Sequence, residues 1–215
     1  MSAGVVVEIY GKSDVGSVRD GNEDSFAIGD LDGGDLWSGE APLRKEVGRR
    51  GPLLLVCDGM GGAHGGEVAS ELAARVVWEE MRAHSVSDAD DLAVYARLLR
   101  RAVRVANRRV FEEGRREPTL RGMGTTLSAA GLASSWLVIA QVGDSRAYVF
   151  RGDTLAQVTR DQSIVSALVH AGRITEEEAR RSVHANMILQ ALGVSHDLEV
   201  SLSVVDLRRG DRVLL

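Results

Sequence analysis

Acidic residues recur in this 215-residue chain beside glycine and at the ends of apolar runs. Glu23 and Asp24 follow Arg19 and Asn22. Asp58 closes the run Leu53 to Cys57 and precedes Gly59, Met60, Gly61 and Gly62, while Asp144 lies in Gly143-Asp144-Ser145-Arg146. A carboxylate at a strand end beside glycine is held in place, and the backbone next to it can approach a ligand closely. Carboxylates, backbone carbonyls and water suit hard divalent cations such as Mg²⁺ and Mn²⁺. Arg19 adds a planar fork that matches two phosphate oxygens. Together these groups could serve a site for divalent metal and phosphate. Taken singly they read more plainly: Asp-Gly and Gly-Asp are ordinary turn residues, and Arg19, Glu23 and Asp24 would make an exposed turn.

The order of four motifs carries more than any one of them: Arg19 with Asn22-Glu23-Asp24, then Val56 to Gly62, then Gly122-Met123-Gly124-Thr125-Thr126, then Val142 to Arg146. In this order the chain resembles the metal-dependent protein serine/threonine phosphatases of type 2C, in their bacterial form, from about Asp14 to Leu215. The resemblance implies hydrolysis of phosphoserine and phosphothreonine on proteins by a metal-activated water. It further implies that Asp58 bridges two Mn²⁺ or Mg²⁺ ions and that the Gly59 carbonyl binds one of them. Glu23 and Asp24 match the acidic pair reaching the metals directly or through water. Asp144 would help hold a third, weaker metal, and Arg19 would bind phosphate. Two cations about 3.5 to 4 Å apart would lower the pKa of a bridging water and orient it in line with the phosphoester. Cys57 is then not needed as a nucleophile. The Gly122 to Thr126 motif receives no chemistry and is read as letting a buried strand start beneath the site.

The pattern departs from the family in places. Ala63 followed by His64 stands where many bacterial relatives have histidine directly, and Met60 occupies the position of the eukaryotic general acid. His64 is read as a loop or surface histidine. Asp161-Gln162-Ser163 replaces a frequent Asp-His-Ser, and residues 161–193 resemble the family's flap, which would set substrate choice. The family's further Asp-Gly and Asp-Asn metal motifs do not follow Asp211 to Leu215. The alternative expectation is therefore a catalytically weak phosphoprotein-binding or regulatory domain, binding metal poorly and self-associating through an open strand edge.

Composition narrows the class. With 44% hydrophobic residues the chain is long enough for one domain with a continuous core, expected to span residues 1–215. Cys57 is the only cysteine, so no intramolecular disulfide can form, which suits a reducing cytoplasm. No apolar stretch approaches the roughly 20 residues of a membrane span. A net charge of −5 argues against general nucleic-acid affinity. The partners expected are phosphorylated proteins, among them a serine/threonine kinase or its substrates. A nucleotide-binding module fails on detail: no lysine follows the glycines, and His64 falls where a dinucleotide fingerprint from Gly59 needs glycine. The arginines at 97, 100, 101, 104, 108 and 109 read as a solvated helix face.

Alternating or β-branched runs predict strands at 5–9, 25–28, 53–57, 125–132, 136–142, 146–150, 198–204 and 212–215, mostly joined by short turns and so antiparallel. A helix is expected after Gly65-Gly66, and a second from an Asp88 N-cap to Gly114, burying Leu92, Tyr95, Leu99, Ala102, Ala106 and Val110. A third helix should end before Gly172, and Thr175 with Glu178 predicts a capping box for a fourth. Without βαβ alternation, the expected fold is α+β: a four-layer α/β/β/α sandwich of two mainly antiparallel sheets flanked by helices. Residues 30–50, rich in glycine and charge, are expected as a flexible insertion.

Overall fold

The computed structural model describes residues 5–17, 20–40, 42–61, 64–84 and 91–215. The central strand is β5 (Pro52–Met60), an apolar run buried along most of its length. It pairs antiparallel with β2 (Asp24–Asp30) on one side and β7 (Leu127–Ala133) on the other. Beyond β7 come β8 (Trp136–Val142) and β11 (Ser201–Asp206), and beyond β2 comes β3 (Leu36–Trp37). The short β6 (Gly124–Thr125) pairs with the end of β5. All seven residues of β7 are buried, which accounts for its small side chains: the strand is covered on both faces.

One face of this sheet carries α1 (Gly65–Ala83) and α2 (Leu92–Arg116). Their apolar stripes bury Ala69, Ala73, Val77, Tyr95, Leu99 and Val103 over Leu53, Leu55 and Cys57. The predicted Asp88 cap lies outside the described residues. The observed N-cap of α2 is Asp91, whose carboxylate accepts from the amides of Ala93 and Val94. Helix α2 also runs past Gly114 to Arg116, since one glycine costs only about 1 kcal/mol against a long packed face. Leu92 is half-buried rather than buried. Five of the six arginines are exposed, as expected of a solvated face; Arg100 is half-buried.

The other face packs on a three-stranded sheet of β9 (Tyr148–Arg151), β10 (Thr154–Gln157) and β12 (Arg212–Leu214), in the order β10-β9-β12. Leu54, Ala130, Leu137 and Ile139 meet Ala147, Val149, Val213 and Leu215 between the sheets. The fold is thus an α+β sandwich, with helices over one sheet and that sheet over the other. Between β10 and β11 lie α3 (Ile164–His170) and α4 (Glu176–Arg181), the latter with the predicted Thr175–Glu178 capping box, and these two helices pack on each other.

Residues 30–50 contain β3 and β4 (Leu43–Glu46), and β4 pairs with β1 (Val6–Ile9). Lys45 bonds Asp30, and the Asp32 carboxylate accepts from the amides of Arg50 and Gly51. The buried Arg50 guanidinium donates to the carbonyls of Leu31, Met81 and Arg82, tying this segment to the carbonyl-rich end of α1. Charge spacing alone gave no sign of these long-range partners.

Candidate active site

Asp58 lies inside β5, two residues before its end, rather than after the strand. Its backbone is held on both sides by the Gly122 to Thr126 motif. The Asp58 amide donates to Thr126 Oγ1 at 3.0 Å, and its carbonyl accepts from the Thr126 amide at 2.9 Å and from Thr125 Oγ1 at 3.0 Å. Alternation along β5 turns Cys57 into the core and leaves Asp58 exposed. Asp24 on β2 stands directly opposite Asp58. Directly opposed carboxylates repel, and a bound cation would relieve that repulsion.

Glu23 precedes β2 and sits against the start of α1. A Cβ on Gly66 would come within 2.7 Å of the Met60 backbone nitrogen as well as of the Glu23 carboxyl carbon, so glycine is required for this approach. Gly59 is constrained in the same way: a Cβ there would lie 2.2 Å from the Gly66 carbonyl oxygen and 2.5 Å from that of Glu23. The Glu23 carbonyl in turn accepts from the Gly59 amide and from Ser70 Oγ. The first turn of α1, the end of β5 and the start of β2 are therefore packed backbone to backbone.

Asp144 is half-buried in the turn between β8 and β9, and burial pushes its carboxyl above the usual carboxylate range. Gly143 has φ +95°, and a Cβ there would lie 2.7 Å from Thr126 Cγ2. Gln162 clamps this turn from the other side: its backbone amide donates to the Gly143 carbonyl, and its side-chain oxygen accepts from the Gly143 amide. Arg146 makes a forked ion pair with Asp161, Nη2 to Oδ2 at 2.6 Å, as expected of a structural partner.

Arg19, Gly62 and Ala63 lie outside the described residues. His64 occupies the N-cap position of α1 without a side-chain capping bond and is largely exposed, 3.8 Å from Glu67. Cys57 is fully buried and its thiol pKa is driven up by that burial, which leaves it a core residue rather than a nucleophile.

An open groove of about 560 Å³ is lined by Glu23, Asp58, Gly59, Met60, Gly61, Thr126, Asp144, Asn186 and Ile188. A second hollow beside it brings Asp24, Glu23 and Asp58 together with Asp14 and Asn22. Beyond Asp144 a larger cleft of about 800 Å³ runs toward α3 and α4, past Arg160, Val165, Val169 and Arg180. Among the described residues no three acidic, histidine or cysteine side chains stand close enough to enclose a metal by themselves. The carboxylates of Glu23, Asp58 and Asp144 and the Gly59 carbonyl are nonetheless hard oxygen donors, and Mg²⁺ in particular is commonly held by one or two carboxylates with several waters completing its shell. The donor set fits such an ion. Sequence reasoning assigned no role to Thr126, Ser145, Gln162 or Asn186; the first three stood inside quoted motifs, and Asn186 carried no signal beyond its place in residues 161–193.

The family model for protein phosphatase 2C matches residues 43–192. A serine/threonine phosphatase stp of Listeria welshimeri is 40% identical over 167 residues, covering 76% of this chain and 64% of the relative. The serine/threonine protein phosphatase PstP of Mycobacterium tuberculosis is 36% identical over 211 residues, covering 98% of this chain and 36% of the relative. The chain thus spans less than two thirds of the length of these curated relatives. Among solved structures, the Streptococcus agalactiae serine/threonine phosphatase superposes with a TM-score of 0.81 at 28% identity, over 97% of this chain and 78% of the other. The PstP catalytic domain in complex with two manganese ions gives 0.72 at 35% identity, over 97% and 76%. With the ordered motifs, the sandwich that carries them and a family match over most of its length, this chain belongs to the protein phosphatase 2C family.

Proposed function

We propose that the protein to which this chain belongs hydrolyses phosphoserine and phosphothreonine on other proteins with the help of Mn²⁺ or Mg²⁺. The observation that carries the reading is the single groove lined by Glu23, Asp58, the Gly59 backbone and Asp144. Asp58, Gly59, Glu23 and Asp24 would hold two metal ions and Asp144 a third, weaker one. A bound Mn²⁺ or Mg²⁺ would supply there a water of lowered pKa and charge neutralisation for the phosphoryl oxygens. Asp58 fixes the depth of the site, because its backbone is bonded on both sides, and Arg19 would fork onto the phosphate. Residues 161–193 would act as a flap, with the cleft past Arg160 and Arg180 receiving the peptide on one side of the phosphorylated residue. Phosphoproteins, a serine/threonine kinase among them, are the proposed partners. A reducing cytoplasm suits the lone buried Cys57, and among the described residues no helix is long and apolar enough to cross a membrane. A phosphoprotein-binding domain without turnover is the less favoured reading, since the relatives bear phosphatase names.

The test is hydrolysis of phosphoserine and phosphothreonine peptides by the full-length protein with added Mn²⁺ or Mg²⁺. Activity that depends on metal and vanishes in EDTA is expected. Full turnover in excess EDTA would overturn the metal reading, and tight peptide binding without turnover would favour the binding domain. Arg19→Ala should chiefly raise KM by removing a charge-assisted phosphate contact of about 1.5 to 3 kcal/mol.

A further inference from the structure

Beneath the groove lies a buried polar network that the proposed chemistry leaves unused. Thr126 is 1% exposed, and its Oγ1 sits 3.0 Å from the Asp58 amide and 2.6 Å from Ser145 Oγ. After accepting from the amide, Thr126 Oγ1 keeps a second lone pair and its own hydrogen, so either hydroxyl can donate in the bond to Ser145 Oγ. The Ser145 carbonyl then accepts from Ser128 Oγ and Gln141 Nε2, both at 3.0 Å. Ser128 and Gln141 are buried as well, and Gln141 Nε2 also donates to the Gly143 carbonyl. The Gly143 turn rests directly on the Thr126 side chain, where a Cβ would collide. A single side chain thus touches the backbone of Asp58 and the turn that presents Asp144. Inside a protein such bonds are strengthened by the low dielectric, and a donor left unpaired there is costly, so the arrangement has one well-defined geometry.

We propose that Thr126 is a positioning residue whose hydroxyl sets the spacing between Asp58 and Asp144 and so the metal affinity of the groove. This rests on the reading of Asp58 as a metal ligand. Outer-shell partners of ligands commonly change affinity by about 10–100-fold when removed.

The test compares Thr126→Val, which keeps the shape but loses the hydroxyl, with Thr126→Ser, which keeps the hydroxyl, in the metal-stripped full-length protein. Mn²⁺ binding is read by calorimetry and by the paramagnetic resonance of the free ion, with circular dichroism reporting the fold. Thr126→Val should weaken Mn²⁺ binding by about 10–100-fold while remaining folded, and Thr126→Ser should restore most of the affinity. Parental Mn²⁺ binding in folded Thr126→Val, or failure of Thr126→Ser to rescue, overturns the proposal. If Thr126→Val does not fold, Ser145→Ala asks the same question from the other end of the bond, and unchanged affinity there overturns it too. Asp58→Asn separates the two readings. If Asp58→Asn also binds Mn²⁺ normally, the metal assignment itself fails; if Asp58→Asn loses binding and Thr126→Val does not, only the role of Thr126 fails.

Discussion

Helices α1 and α2 bury nine and seven residues respectively, whereas α3 buries none and α4 only Ala179. The first pair is bound to the central sheet through a continuous apolar cluster, and the second makes its main helix contact with itself. The α1 helix begins beside Glu23 and Gly59, whereas α3–α4 wall the cleft beyond Asp144. The difference teaches that fold stability and the placement of Asp58 reside in one part of the molecule, and the surface proposed to receive a peptide in another. A segment with little buried area has little to lose by opening, which is how mobile lids are built.

The division is tested most severely at its centre. Asp58→Asn removes one charge and almost no volume, so kcat/KM should fall by at least about 100-fold, some 2.7 kcal/mol, with the melting temperature near that of the parent. A large loss of stability instead would mean that Asp58 belongs to the scaffold. Leu99→Ala, in the fully buried face of α2, should cost about 2–5 kcal/mol in denaturant unfolding while leaving kcat per folded molecule intact. A collapse of kcat in the folded fraction would break the separation.

Gly131→Ala sharpens the same side of the comparison. Its Cβ would fall 2.1 Å from the Tyr95 hydroxyl, so a loss of about 1–3 kcal/mol is expected. Tyr95 OH is buried without a hydrogen-bond partner among the described residues, so Tyr95→Phe should be neutral or stabilising, and it should partly relieve Gly131→Ala. Additive effects in the double variant would contradict this contact.

On the α3–α4 side, Arg180→Ala should change unfolding free energy by no more than about 0.5 kcal/mol, because the residue is exposed. It should raise KM for a phosphoprotein and leave KM for a small aryl phosphate unchanged. Equal effects on both substrates would remove the cleft from peptide recognition.

The smallest effect expected is pH-dependent. The Arg151 guanidinium holds the Asp211 carboxyl below its usual 3.8. A lowered folded-state pKa stabilises fully above the unfolded value, and the contribution is lost as pH falls below 3.8 and through the folded pKa. Melts at pH 7 and pH 3 should therefore converge in Asp211→Asn relative to the parent, and an unchanged difference would show the pair to be idle.

Several features were legible because they are local. The β8 range was read residue for residue, the capping box of α4 depends on two side chains three residues apart, and the face of α2 through Tyr95, Leu99, Ala102, Ala106 and Val110 follows from its period. Asp58 and Asp144 were identified by type and neighbouring glycines and Glu23 by its place after Arg19 and Asn22, and the groove does bring the three together. The segment 30–50 was opaque because its partners, β1, β2 and the end of α1, are far away in sequence or outside it. Strand β6 and the pinning of Asp58 escaped for the same reason.

By itself, the sequence determined which residues could do chemistry, since side-chain type and glycine placement are written directly in it. It also determined most helices and strands, whose periods and caps are short-range. Only the tertiary structure decided that Thr126 bonds Asp58 across 68 positions and that Gln162 clamps the Gly143 turn across 19. Hydrogen bonds of such span depend on how sheets register and helices close over them, and no local pattern encodes a partner that folding alone brings near.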